Sequence, residues 1–210
     1  MRSAVILAGG EGRRMGAEKA SVMLCNRPLI EHVIERISDV VDDLIVVMRD
    51  EAQAARLECA TSGCRVVIDR AHGVGPIAGL QAGMDAARGR YAFAAGCDMP
   101  FLNSDIIDGL FSLADGHDGA VPVLNDIPER LHAVYLARQL EEACRIAIVR
   151  GARRVSAPLA WLDIRFVDAG IFRGVDPELL SFFNVNTPDD LRRAESILRG
   201  RTAERRISLL

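Results

Sequence analysis

Leu7-Ala8-Gly9-Gly10-Glu11-Gly12-Arg13-Arg14-Met15-Gly16-Ala17-Glu18-Lys19 is the stretch on which the reading of this 210-residue chain turns. Ahead of it, Ala4 to Leu7 is a short apolar run that stops abruptly at Gly9-Gly10, the pattern of a strand running into a glycine loop. Open α/β sheets bind ligands beyond the carboxyl ends of their strands, so the loop after a first strand is the place to look for a site. Three nucleotide-binding loops compete. A dinucleotide fingerprint needs Gly-x-Gly-x-x-Gly; Gly10 and Gly12 fill the first two places, but the third falls on Met15. A Walker loop needs Gly-Lys followed by a hydroxyl residue; two residues separate Gly16 from Lys19, and Ala20 has no hydroxyl. What remains is a loop with open backbone amides, two adjacent arginines and a lysine, suited to a polyphosphate whose charge is neutralised from several directions.

Outward from the loop, short apolar strands alternate with helical patterns. Helices are expected over Pro28 to Val40, over Glu51 to Cys59, after Pro76 with Leu80, Met84 and Ala87, and after a cap at Ser104 or Asn103 with Ile106, Ile107, Leu110 and Leu113; others follow over Gln139 to Val149, Arg153 to Trp161 and Pro188 to Arg199. Strands are expected over Leu44 to Met48, Arg65 to Ile68, Tyr91 to Ala95, Ala120 to Leu124, His132 to Leu136 and Ile164 to Val167. Pro28, Pro76 and Pro188 suit first helical turns, and Thr187 suits the cap before Pro188. This is the βαβ grammar of an α/β fold: a three-layer, Rossmann-like, mostly parallel sheet with helices on both faces. No repeat or linker divides the chain, so residues 1–210 are expected to form a single domain, with about 200–210 as a flexible tail.

Composition excludes several partners. There are 29 Asp and Glu against 26 Lys and Arg, a formal net charge of -3, and half the chain is hydrophobic. Such a balance argues against a surface that coats nucleic acid or an anionic membrane, because both reward a large basic excess. All but one of the basic residues are arginine; Lys19 is the single lysine. The five cysteines are odd in number and lack metal-site spacing, which points to reduced thiols and a cytoplasmic protein. No apolar stretch approaches the roughly 20 residues of a membrane span.

The glycine loop resembles the Leu-Ala-Gly-Gly, Arg-Met-Gly, two residues, Lys signature of nucleotidyltransferases, and most of all that of the molybdenum cofactor guanylyltransferases. Four further segments are similar to that family's elements: Gly75-Pro76-Ile77-Ala78-Gly79, Cys97-Asp98-Met99-Pro100, Pro128 to Tyr135, and Asn184-Val185-Asn186-Thr187-Pro188. The resemblance implies transfer of GMP from GTP to a molybdopterin-type phosphate acceptor in the presence of Mg²⁺, with a homo-oligomer or a cofactor-delivery partner left open. It implies Arg14, Lys19 and Asp98 as catalytic residues, and Asp98 as the metal ligand. Leu7, Ala8, Gly9, Lys19, Asp69, Gly79 and Asp98 would contact the nucleotide, and Asn184 and Asn186 the acceptor.

Each of these residues also has a plain reading. Asp98 could cap the helix after Pro100, Asp69 could close a turn, Gly79 could serve helix packing, and the two asparagines could belong to the turn before a helix. Cys97 reads as packing, and His132 leaves a functional and a structural role equally open. One position departs from the family pattern: Met48 stands where an asparagine that contacts the nucleotide is expected. Two other readings remain: a related cytidylyl- or guanylyltransferase acting on another cofactor phosphate, and a non-catalytic nucleotide-binding module.

Overall fold

The computed structural model describes residues 1–10, 18–71 and 73–207, with backbone alone from 201 onward. At the centre of the sheet is β1 (Arg2–Leu7), hydrogen-bonded in parallel to β4 (Asp43–Met48) on one side and to β6 (Tyr91–Gly96) on the other. β5 (Arg65–Ile68) continues in parallel beyond β4. On the other flank β9 (His132–Leu136) is antiparallel to both β6 and β7 (Gly119–Leu124), and β10 (Ile164–Asp168) lies parallel to β7. The order is therefore β10-β7-β9-β6-β1-β4-β5, with the short β8 (Ile127–Pro128) turned back onto β7. From β1 the chain moves to β4 and β5 on one side, and from β6 to β7 and β9 on the other, which makes the adjacent carboxyl ends of β1 and β6 a topological switch point. No helix among the described residues is long and apolar enough to cross a membrane.

The central strands are apolar on both faces because both are covered. Val5, Ile45 and Val47 face α3 (Pro76–Ala86) and α5 (Ala137–Val149), which contribute Ile77, Leu80, Leu140 and Cys144 to one core. Ile6, Val46, Met48 and Phe93 face α1 (Leu29–Ile37) and α4 (Ser104–Leu113), through Ile30, Val33, Ile106 and Leu110. α3 comes closest to the sheet at Gly83, where an added Cβ would collide with the Val5 side chain and lie 2.9 Å from Val47 Cγ2.

Three features go beyond the sequence pattern. A hairpin of two-residue strands, β2 (Met23–Leu24) and β3 (Arg27–Pro28), turns at Cys25-Asn26, both with positive φ. The helix expected over Arg153 to Trp161 is reduced to a single 3₁₀ turn at Pro158–Trp161, as Pro158 supplies no N–H to an α-helical ladder. α2 (Glu51–Arg56) is shorter than its pattern, while α6 (Pro188–Ile207) runs on past Arg199.

A small third core governs the far end of the chain. Val22, Leu24, Leu29, Phe101, Leu180, Val185 and Ala194 pack together, joining the hairpin, the segment after β6 and the start of α6. Thr187 and Asp190 reciprocate at the helix start: the Thr187 N–H and O–H donate to Asp190 Oδ2, and the Asp190 N–H donates back to Thr187 Oγ1 at 3.2 Å. The α6 start is thereby pinned against the glycine-loop side of the sheet.

Candidate active site

β1 and β6 end together, with Leu7 opposite Gly96 and the Cys97 N–H donating to Leu7 O. Asp98 therefore emerges beside the end of β1. Its carboxylate folds back over Gly96, into the space a Cβ would occupy, so a side chain at position 96 would displace it. Lys19 starts a 3₁₀ turn (Lys19–Ser21) after the glycine loop, and its Nζ donates to Asp98 Oδ2 and to Asn186 Oδ1, both at 2.6 Å. The Lys19 and Asp98 side chains are 21% and 14% exposed, so the pair is largely shielded yet still reached by solvent. The Val185 N–H donates to Asp98 O at 2.8 Å, fastening the segment that carries Asn186 to the turn that carries Asp98. Three residues from distant parts of the chain thus share one ammonium group.

The remaining expected residues fall around this centre in different ways. Gly79 sits in α3 where an added Cβ would lie 3.6 Å from Asp69 Oδ2, Leu7 Cδ2 and Val47 Cγ1, so Asp69, Leu7 and Gly79 come together near the ends of β1 and β5. Asp69 Oδ1 also accepts from the Ala71 N–H, closing the turn after β5. Asn184 is not joined to Lys19; its Nδ2 donates to Phe182 O in a local turn. Arg13 and Arg14 lie outside the described residues. Met48 is fully buried in the sheet core and cannot reach a ligand; the next residue, Arg49, faces the loop, its Cβ 3.6 Å from the Cβ position of Gly9.

Two residues prove structural. Cys97 is buried, and burial pushes its thiol well above the ordinary range, which removes it as a nucleophile. His132 is fully buried between the edge-on ring of Phe93 and the stacked ring of Phe182, at 5.4 and 4.2 Å. Its Nε2 lies 3.4 Å from Ser181 Oγ, which accepts from the Asn103 N–H. Its Nδ1 has no partner among the described residues. Burial holds the ring's pKa down at about 3, so His132 is neutral near pH 7 and supports the 180–186 segment from beneath rather than moving a proton.

Sequence reasoning missed a polar cluster on the β4 side. Glu18, next to Lys19, accepts from Arg49 Nη2 at 3.1 Å and from Arg56 Nη2, while Gln53 is completely buried among the ends of β1, β4 and α2. No motif marks these residues in the sequence, and the helical reading of Glu51 to Cys59 says nothing of Gln53.

A strand-end switch point in a mostly parallel sheet, with a lysine held there by an aspartate, fits a nucleotidyltransferase-type α/β protein. The family model described as "MobA-like NTP transferase domain" matches residues 4–166, and the chain belongs to that family. It is 39% identical over 198 residues to a probable molybdenum cofactor guanylyltransferase of Methanosarcina mazei, covering 90% of this chain and 88% of that one. It is 38% identical over 202 residues to a probable molybdenum cofactor guanylyltransferase of Natronomonas pharaonis, covering 94% and 98%. The crystal structure of molybdopterin-guanine dinucleotide biosynthesis protein A from Archaeoglobus fulgidus superposes with a TM-score of 0.83 at 37% identity, over 95% of this chain and all of that one.

Proposed function

We propose that the protein transfers GMP from GTP to the phosphate of a molybdopterin-type acceptor and releases pyrophosphate. The observation that carries this reading is the sharing of the Lys19 ammonium, at 2.6 Å each, between Asp98 on the nucleotide side and Asn186 on the C-terminal side. The molybdenum cofactor guanylyltransferases among its relatives supply the nucleotide and the acceptor.

In the reaction an oxygen of the acceptor phosphate forms a bond to the α-phosphorus of GTP, and the bond from that phosphorus to the α,β-bridging oxygen breaks. Pyrophosphate leaves with the electron pair. Both reactants are anions, so catalysis consists mainly of positioning and charge stabilisation. The backbone of Leu7, Ala8 and Gly9 packs against the nucleotide, and Asp69 and Gly79 lie beside its nucleoside. Lys19 exchanges its two oxygen partners for phosphate oxygens as the triphosphate arrives, with Arg14 adding charge from the loop. Asn186, released by Lys19, and Asn184 turn their amides to the acceptor.

Asp98 is chemically fitted to Mg²⁺: a hard carboxylate at the cleft mouth, next to where phosphate oxygens would complete the coordination. Among the described residues no three His, Cys, Asp or Glu side chains cluster as a ready-made metal cage, so the ion would be held jointly with substrate. Bound there, Mg²⁺ would draw charge off the transferring phosphoryl group. The same reading takes residues 1–210 as one domain and places the protein in the cytoplasm.

The reading is tested by incubating purified protein with Mg²⁺, molybdopterin and each of GTP, CTP and ATP, and measuring pyrophosphate and dinucleotide. GTP is expected to be the preferred donor; a preference for CTP would move the protein to cytidylyl transfer, and no product with any nucleotide would refute transferase function.

A further inference from the structure

Gln53 lies where two strands that ought to pair come apart. The β1–β4 ladder is regular up to Leu7 opposite Val47, and the Ala8 N–H adds one more rung to Val47 O at 2.9 Å. In a parallel ladder the next rung would run from the Arg49 N–H to Ala8 O. Instead the side chain of Gln53 stands between them. The Arg49 N–H donates to Gln53 Oε1 at 2.7 Å, and Gln53 Nε2 donates to Ala8 O at 2.9 Å. The amide thus spans the missing rung, satisfying one donor and one acceptor that burial would otherwise leave costly. Its own position is fixed from behind: Asp50 caps α2, and the Gln53 N–H donates to Asp50 Oδ1 at 2.7 Å. Gln53 is completely buried, and its orientation is dictated, since only the amide nitrogen can face a carbonyl and only the amide oxygen can face an N–H.

We propose that Gln53 is a positioning residue for nucleoside triphosphate binding: a wedge that splays the ends of β1 and β4 and sets where Ala8, Gly9 and Gly10 begin the glycine loop. The inference rests on the reading of that loop as the nucleotide site. Without the wedge, Arg49 and Ala8 close into a further rung and draw the loop's first residues toward β4. A glutamate at position 53 has nearly the same shape. Ionised, it sets an oxygen against the Ala8 carbonyl; protonated, it donates to Ala8 O and accepts from the Arg49 N–H as the glutamine does.

The test measures GTP dissociation constants with Mg²⁺ and no acceptor, for the wild type, Gln53→Met and Gln53→Glu, between pH 8 and pH 5.5. Each variant is referred to the wild type at the same pH, and unfolding midpoints are recorded in parallel. Expected are roughly tenfold weaker binding by Gln53→Met at every pH, and a similar loss for Gln53→Glu at pH 8 that shrinks toward wild type as its carboxyl protonates. Wild-type affinity in both variants across the range would overturn the proposal. So would loss of the fold in both at pH 8, which would make Gln53 a stability residue. A wild type that binds no nucleoside triphosphate would instead bring down the functional reading beneath it.

Discussion

Lys19 and Asp98 lie 79 positions apart and Lys19 and Asn186 lie 167 apart, yet all three meet within hydrogen-bonding distance. The motifs around each residue are legible in the chain, but their meeting is not, because it depends on the third core that carries Val185 to the edge of β6. Gln53 was invisible for a related reason. A glutamine on a short helix carries no motif, and its role exists only where two strand ends diverge. At this scale, Asp98→Asn should cut kcat by about 100-fold or more while the unfolding midpoint stays near wild type, as expected for charge stabilisation at a reacting phosphorus. Unchanged turnover would remove Asp98 from the chemistry. Gly96→Ala asks a finer question. Its methyl group would occupy the space the Asp98 carboxylate uses, and the displaced group is the mobile end of a side chain, so little stability should be lost. Turnover should nevertheless fall roughly 10- to 100-fold through misplacement. Equal kcat in steady-state assays of Gly96→Ala and wild type would show that the carboxylate's position is not critical.

Among the elements, β5 and β9 are read from sequence to the residue, and α3 and α4 nearly so, because apolar periodicity and capping residues agree there. The hairpin β2–β3 escaped notice since two-residue strands have no period to detect, although Cys25-Asn26 occupies its turn. The segment from Arg153 to Trp161 shows the converse error, helical spacing without a helix, with Pro158 in its midst. Two glycines one helical turn apart in α3 separate packing from ligand contact. Gly83→Ala forces a methyl group into Val5 and should cost about 1–3 kcal/mol, read as a lower urea midpoint. Gly79→Ala meets only ordinary contacts at 3.6 Å and should hold or gain stability through helix propensity, yet raise KM for GTP if Gly79 lies beside the nucleoside. An unchanged KM in Gly79→Ala would reduce Gly79 to a packing residue.

Over the whole molecule, the fold places a neutral, buried histidine beneath the segment that leads to Asn186, and this ties stability to pH. The His132 pKa is about 3 in the folded protein against 6.5 for an ordinary histidine, so the unfolded chain binds more protons between those values. The contribution to stability is full above about pH 6.5 and is lost progressively as pH falls toward 3. His132→Phe, which keeps an aromatic ring between Phe93 and Phe182, should flatten that part of the profile in urea titrations from pH 7 to pH 4; a slope equal to wild type would assign the acid sensitivity elsewhere. The near-neutral charge of the chain argues against a broad polyanion surface and leaves room for a small phosphate site. The single lysine, among 25 arginines elsewhere, stands at the switch point where we propose that site. Transfer of a nucleotidyl group at this centre is distinct from merely binding or hydrolysing a nucleotide. The direct measurement follows GTP labelled at the α- or the γ-phosphate in the presence of Mg²⁺ and molybdopterin. The α-label should appear in a pterin dinucleotide and the γ-label in pyrophosphate, in equal amounts. Release of the γ-label as orthophosphate, or an α-label that never leaves the guanine nucleotide pool, would contradict it.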